Sequence, residues 1–145
     1  MSATIATAMT GPEPSYRSDL RRAREALLAA ELADHPADRF LAAHLAALRI
    51  AAAVLGVSAH RTGRGRPADV WHVLVRAAPE YAEWAAFFAA SRGTWHAVTA
   101  GARTLVSERQ ADDLVRDATV FCDEVSRRLD AAWLRRHGDR ERGHG

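Results

Sequence analysis

The sequence predicts an all-α protein, a single domain folded as a bundle of about five helices. Three observations predict it. Apolar residues recur every three or four positions over long stretches, which gathers them on one side of a helix. Short polar, proline- or glycine-containing connections separate those stretches, so consecutive helices fold back on one another. No stretch alternates as a strand does, and no internal repeat or long heptad run appears. The chain has 145 residues, 48% of them hydrophobic, enough for a core in one ordinary domain.

The elements follow in order. Residues 1–14 are small and polar with two prolines and no periodicity, and read as a disordered tail. Ser15 or Ser18 can cap a first helix whose stripe is Leu20, Ala23, Leu27 and Ala30. Asp34-His35-Pro36 ends it and opens the second, with Pro36 suited to a first helical position. The second helix carries Leu41, Leu45, Leu48, Ala52 and Leu55 as its apolar stripe, has alanines that permit close helix approach, and stops near Gly56. His60 to Arg66 is a loop with three arginines and two glycines.

Pro67 opens a short third helix with Val70, Trp71, Val73 and Leu74. Pro79 ends it and opens a fourth, with Tyr81, Trp84, Ala85 and Phe88 on one face. The fourth runs past Ser91 toward Ala100, is weakened by Gly93, and is closed by Gly101. Ser107-Glu108-Arg109-Gln110 has the form of a capping box. It starts a last helix striped by Leu114, Ala118, Phe121, Val125, Leu129, Ala132 and Trp133. The bundle is placed at 15–137, with residues 138–145 as a second disordered tail.

Composition narrows the function classes. All 20 basic residues are arginine, a bias that codon usage in a GC-rich genome explains. Net charge is only +2, short of a dedicated nucleic-acid binder, so any basic function rests on local clustering. Cys122 stands alone in an apolar pattern and reads as a small core residue. The N-terminus has no basic leader pattern, and no apolar run reads as membrane-spanning, so a soluble cytoplasmic protein without membrane contact is expected. No His/Cys/Asp/Glu set has metal-ligand spacing, and there is no phosphate loop or nucleophile elbow, so neither metal nor cofactor is expected. The loop arginines Arg61, Arg64 and Arg66, with Arg49 on the second helix, are candidate phosphate contacts. Solvated loops of arginine-rich proteins look the same. Trp71, Tyr81, Trp84, Phe88 and Trp95 can stack on bases, although helical spacing favours packing.

Several stretches together resemble the HEPN superfamily, and most closely a branch common in actinobacteria. They are Asp38-Arg39-Phe40 and Ala43 to Arg49 on the second helix, Pro79-Glu80, Glu83 to Phe88, and Ala111 to Leu114 with Phe121 on the last. The resemblance covers roughly residues 18–134. It implies a dimeric helical bundle. Catalytic members cleave RNA without metal, using an arginine and a histidine with four to six residues between them, contributed across the dimer. Other members lack that motif and bind nucleotides, RNA or proteins.

Arg39 and His44 have the motif's spacing, and so do Arg66 and His72. Composition alone gives about three such matches by chance. Residues five apart on a straight helix point about 140° apart, so Arg39 and His44 would need a second subunit to meet one phosphate. The family's motif lies at the start of the last long helix or just before it. There the chain has Arg92-Gly93-Thr94-Trp95-His96, one intervening residue fewer than the motif. In a catalytic reading a histidine moves the proton of the ribose hydroxyl and an arginine holds the phosphate. Arg39, His44, Arg92 and His96 are the candidates for it. In the structural reading His44 packs against a neighbouring helix and the arginines pair with carboxylates. The leading expectation is a HEPN-like homodimer associating with RNA or nucleotides, regulatory or stress-related, with catalysis not favoured. A protein-interaction module and a metal-free endoribonuclease are the alternatives.

Overall fold

The computed structural model describes residues 13–58 and 69–143, leaving aside the side chain of Glu141. Among them there is no strand. Six α-helices run in order: α1 Ser15–Leu32, α2 Pro36–Val57, α3 Val70–Ala77, α4 Ala82–Ala90, α5 Arg92–Thr99 and α6 Glu108–Arg142. Single 3-10 turns at Pro79–Tyr81 and Arg103–Leu105 complete the path. α4 and α5 are the two halves of the fourth helix expected from sequence. They part at Ser91, whose hydroxyl donates to the Phe88 carbonyl at 2.8 Å and whose backbone N–H closes on the same carbonyl. Tightening the last turn in this way starts α5 on a new axis.

α1 and α2 pack along each other as a hairpin, and α6 lies against both. α1 buries Tyr16, Leu20, Ala23, Leu27 and Ala30, the expected stripe extended by one tyrosine. Its first residue follows Pro14, and neither Ser15 nor Ser18 caps it. α2 starts where Pro36 was expected to start it, with His35 Nδ1 accepting from the Ala37 N–H at 3.1 Å. Asp69 caps α3 by accepting from Trp71 N–H at 3.1 Å; Pro67 lies outside the described residues. The Ser107/Gln110 capping box forms in both directions, at 3.1 and 3.0 Å. Gly101, at φ 117, turns the chain after α5 in a conformation that a side chain would strain.

α2 differs from expectation in the face it buries. The core takes Phe40, Ala43, His44, Ala47, Ile50, Ala51 and Val54, while Leu45 is 43% exposed and Ala52 is also exposed. The reason is steric. Six alanines of α2, all fully buried, let α1 and α6 approach its axis more closely than leucines would allow. The leucine stripe is left on the outer side, only partly covered. An 18-residue window of α2 has a mean hydropathy of 2.0, apolar enough by length and composition to cross a membrane, and half of that window is buried in the bundle. This corrects the expectation that no apolar run reaches membrane-spanning length; His44 and Arg49 are the polar residues set within the run.

α6 follows its expected stripe closely, burying Leu114, Ala118, Phe121, Val125 and Leu129. Its helical backbone continues through Gly138 to Arg142. An aromatic cluster joins α3, α4 and α6: Trp71 and Trp84 stack on Phe88, and Phe88 meets Phe121 at 5.3 Å between ring centres. Tyr16 ties the start of α1 to α6 by donating to Asp130 at 2.7 Å. Cys122 is fully buried, and burial pushes its thiol pKa up, so it acts as a core residue.

Candidate functional site

The junction of α4 and α5 sets one group of candidates beside another. α5 begins at Arg92, directly after the break at Ser91, and Arg92 and His96 sit one helical turn apart. Residues four apart share a face, with Cβ atoms roughly 6 Å from each other. Trp95, beside them, stacks on His44 of α2 at 5.3 Å, and Phe40 stacks on the other side at 6.4 Å. The Ser91 hydroxyl lies 3.4 Å from His44 Nδ1. α5 therefore rests on α2 through a histidine held between two aromatic rings.

This setting fixes the chemistry of His44. It is 2% exposed. Burial pushes its pKa down to about 4, and the positive charges of His96 and Arg92 add to the effect. His44 is consequently neutral near pH 7, and a proton cannot be taken up there without desolvating a charge. It joins α2 to α5 through its contacts with Trp95 and Ser91. His96 is exposed and packs edge-on against Trp95 at 4.9 Å. Arg92 pairs with Asp69, the residue that caps α3, so the pair pins the start of α5 to the start of α3.

Arg39 and His44 are not brought together. Arg39 donates through Nε and Nη2 to the Ala33 carbonyl, at 3.3 and 2.9 Å, and pairs with Asp112 on α6. It caps the end of α1 and joins three helices, on the side of α2 away from α5. Asp38, the neighbour of Arg39 in sequence, pairs with Arg103 at 3.0 Å. Arg49 is half-buried on α2 and makes no ion pair among the described residues. His72 is exposed on α3. Arg61, Arg64 and Arg66 lie outside the described residues. Trp71, Tyr81 and Phe88 are buried, and Trp84 and Trp95 pack against the core, so packing accounts for all five aromatic residues. Among the described residues no group of His, Cys, Asp or Glu could hold a metal ion.

The interval of Arg92 and His96, one residue short of the family motif, aligns the pair on one helix face better than an interval of five does. The pairing of Arg92 with Asp69 depends on the break at Ser91 and has no signal in the spacing.

A two-helix hairpin covered by one long helix, with shorter helices between, makes an all-α bundle. The sequence profile of the SAV_6107-like HEPN family matches residues 30–126. That span holds 97 of the 145 residues, from the end of α1 into the middle of α6, and the chain belongs to this family. No curated protein and no solved structure matches it significantly.

Proposed function

We propose that this HEPN domain pairs with a second copy of itself and binds RNA or nucleotide phosphates, without cleaving them, at the α5 patch of Arg92, Trp95 and His96. The observation that carries this reading is the shared face of Arg92 and His96, flanked by an aromatic ring anchored on buried His44. A guanidinium and an imidazole one turn apart supply donors for a phosphate, and the tryptophan edge supplies an apolar border. Cleavage would need a histidine able to gain and lose a proton beside the phosphate. His44 is neutral and enclosed, and Arg92 already shares its charge with Asp69.

The outer leucines of α2 support pairing. Leu41, Leu45, Leu48, Ala52 and Leu55 alternate at intervals of four and three, the spacing of a helix-to-helix seam. The face lies beside α5, so pairing through it would set two patches along one groove. A protein partner is the second reading, favoured by that same exposed face.

Binding of a structured RNA at low salt, in EDTA, tests the proposal. The expected result is uncleaved RNA, an affinity that falls steeply with salt, and several-fold weaker binding by Arg92→Ala and His96→Ala. A wild-type chain that binds no RNA or nucleotide at low salt rejects the reading in favour of a protein partner. Cleavage that disappears in His96→Ala replaces it with the ribonuclease reading.

A further inference from the structure

A cleft of 610 Å³ opens where the end of α2, the end of α3 and the later part of α6 meet. The α2 residues that line it begin at Val54, ten positions beyond His44 and roughly 15 Å further along the axis. It is therefore separate from the α5 patch. Its volume falls in the range that encloses small molecules.

On the α6 side stand Arg128 and Arg135. Seven residues are almost two turns, so both guanidinium groups rise from one face, about 10.5 Å apart along the helix. Ala131 and Ala132 lie between them and leave a low apolar floor, and Val54 and Val57 form the facing wall. Arg128 stacks over the Tyr81 ring at 5.4 Å and shares its charge with Glu124 at 3.1 Å, a half-exposed pair of little energetic weight. Arg135 is exposed and has no ion-pair partner among the described residues.

Tyr81 gives the second, independent sign of a ligand. It is 2% exposed, and its hydroxyl has no hydrogen-bond partner among the described residues. No fully enclosed polar side-chain atom among those residues lacks a partner, so the small exposed part of Tyr81 includes its hydroxyl oxygen. Tyr81 is one of the residues that line the cleft. Burial pushes the Tyr81 pKa up to about 12, against the lowering effect of Arg128, so the hydroxyl keeps its proton and can donate it. Glu80 brings one carboxylate to the rim, against two guanidinium groups.

We propose that this cleft binds a small organic anion, a carboxylate or phosphate on a compact apolar body, with Arg135 and the Tyr81 hydroxyl at the anionic group and the alanine and valine walls around the body. The two anion types share the recognition chemistry of a forked cation and a neutral donor.

Anilinonaphthalene sulfonate, an anionic probe with a planar apolar body, tests the site by fluorescence titration of the full chain. One saturable site per chain is expected. Arg135→Glu should weaken binding about tenfold, as expected for loss of a charge-assisted contact. Tyr81→Phe keeps the packed ring and should weaken binding about fivefold through the lost hydrogen bond. Arg136→Glu makes the same change of charge at a neighbour outside the cleft, and should leave affinity within about twofold. Circular dichroism and the urea midpoint establish that each variant is folded. Equal losses in Arg135→Glu and Arg136→Glu, or no loss in Arg135→Glu and Tyr81→Phe, overturn the proposal. Displacement by phenyl phosphate or by benzoate supports it, and the stronger competitor identifies the anion. Failure of both, or inorganic phosphate competing as well as phenyl phosphate, overturns it.

Discussion

His44 makes the stability of this bundle depend on pH in a window where an ordinary surface histidine would have little effect. Its folded pKa is about 4, against 6.5 for the free side chain. Above pH 6.5 both states hold a neutral imidazole and the group contributes no pH dependence. As pH falls below 6.5 the unfolded chain takes up a proton that the folded chain refuses, and stability drops. The loss is complete below pH 4, where both states are protonated. A difference of 2.5 pKa units corresponds to about 3 kcal/mol in full and about 2 kcal/mol by pH 5. Both are large fractions of the roughly 5–15 kcal/mol that holds a domain together. Urea unfolding of wild type and His44→Gln between pH 7.5 and 4.5 measures the effect. Glutamine cannot charge, and every other titrating group is common to the two proteins. The stability difference between them should shift by about 2 kcal/mol in favour of the variant between pH 7 and pH 5. Parallel curves over that interval would show that His44 is not shielded from protonation, and the case against its use as a proton shuttle would fall with it.

Three further outcomes are expected. Phe121→Ala removes the ring on which Tyr81, Trp84 and Phe88 converge, and should cost about 3–5 kcal/mol in urea unfolding; a loss below about 1 kcal/mol would mean that the cluster is not packed as described. Ser107→Ala removes one half of the α6 capping box and should cost about 1 kcal/mol, read as a lower urea midpoint at unchanged slope. If the chain pairs as proposed, Leu45→Glu places a charge on the outer face of α2 and should turn the sedimenting dimer into a monomer with an unchanged helix spectrum; a wild type that sediments as a monomer refutes the pairing, and a variant that stays dimeric moves the interface elsewhere.

The fold was legible wherever one periodic face met one neighbour. α1 and α6 each have a single apolar stripe, and both bury it. α2 has apolar residues around most of its circumference, so periodicity could not rank its faces. The leucines looked like the core because they are larger, but close packing against α1 and α6 selected the alanines. The break at Ser91 was illegible for another reason. Serine and Gly93 weaken a helix without stopping it, and only the bond from Ser91 to Phe88 shows where the axis turns. The site inherits this gap. Arg92, His96 and His44 were each named from sequence, but that α5 would lay its pair over His44 depended on the turn. Arg39 was read as a phosphate contact because it belonged to a spacing motif; the Ala33 carbonyl and Asp112 that occupy it are tertiary neighbours no spacing could reveal.

The outer face of α2 bears on how large a proposed self-association would have to be. From Leu41 to Leu55 the stripe spans about 21 Å of helix. Two crossed helices touching over that length bury less than the roughly 1,200–2,000 Å² of a stable protein–protein interface. Leucines alone would give a weak pair, so a stable dimer must recruit surface from a flanking helix. α5 is the candidate on the His44 side, since Trp95 is only partly buried and already rests on α2. An interface extended that way would bring Arg92 and His96 to its rim in both copies. Dimer strength and phosphate affinity would then be linked: a ligand bound between the two patches would tighten the pair, and Leu45→Glu would weaken RNA binding without touching a single phosphate contact. Equal RNA affinity in wild type and a fully monomeric Leu45→Glu would show that each patch works alone and that the α2 face serves some other contact.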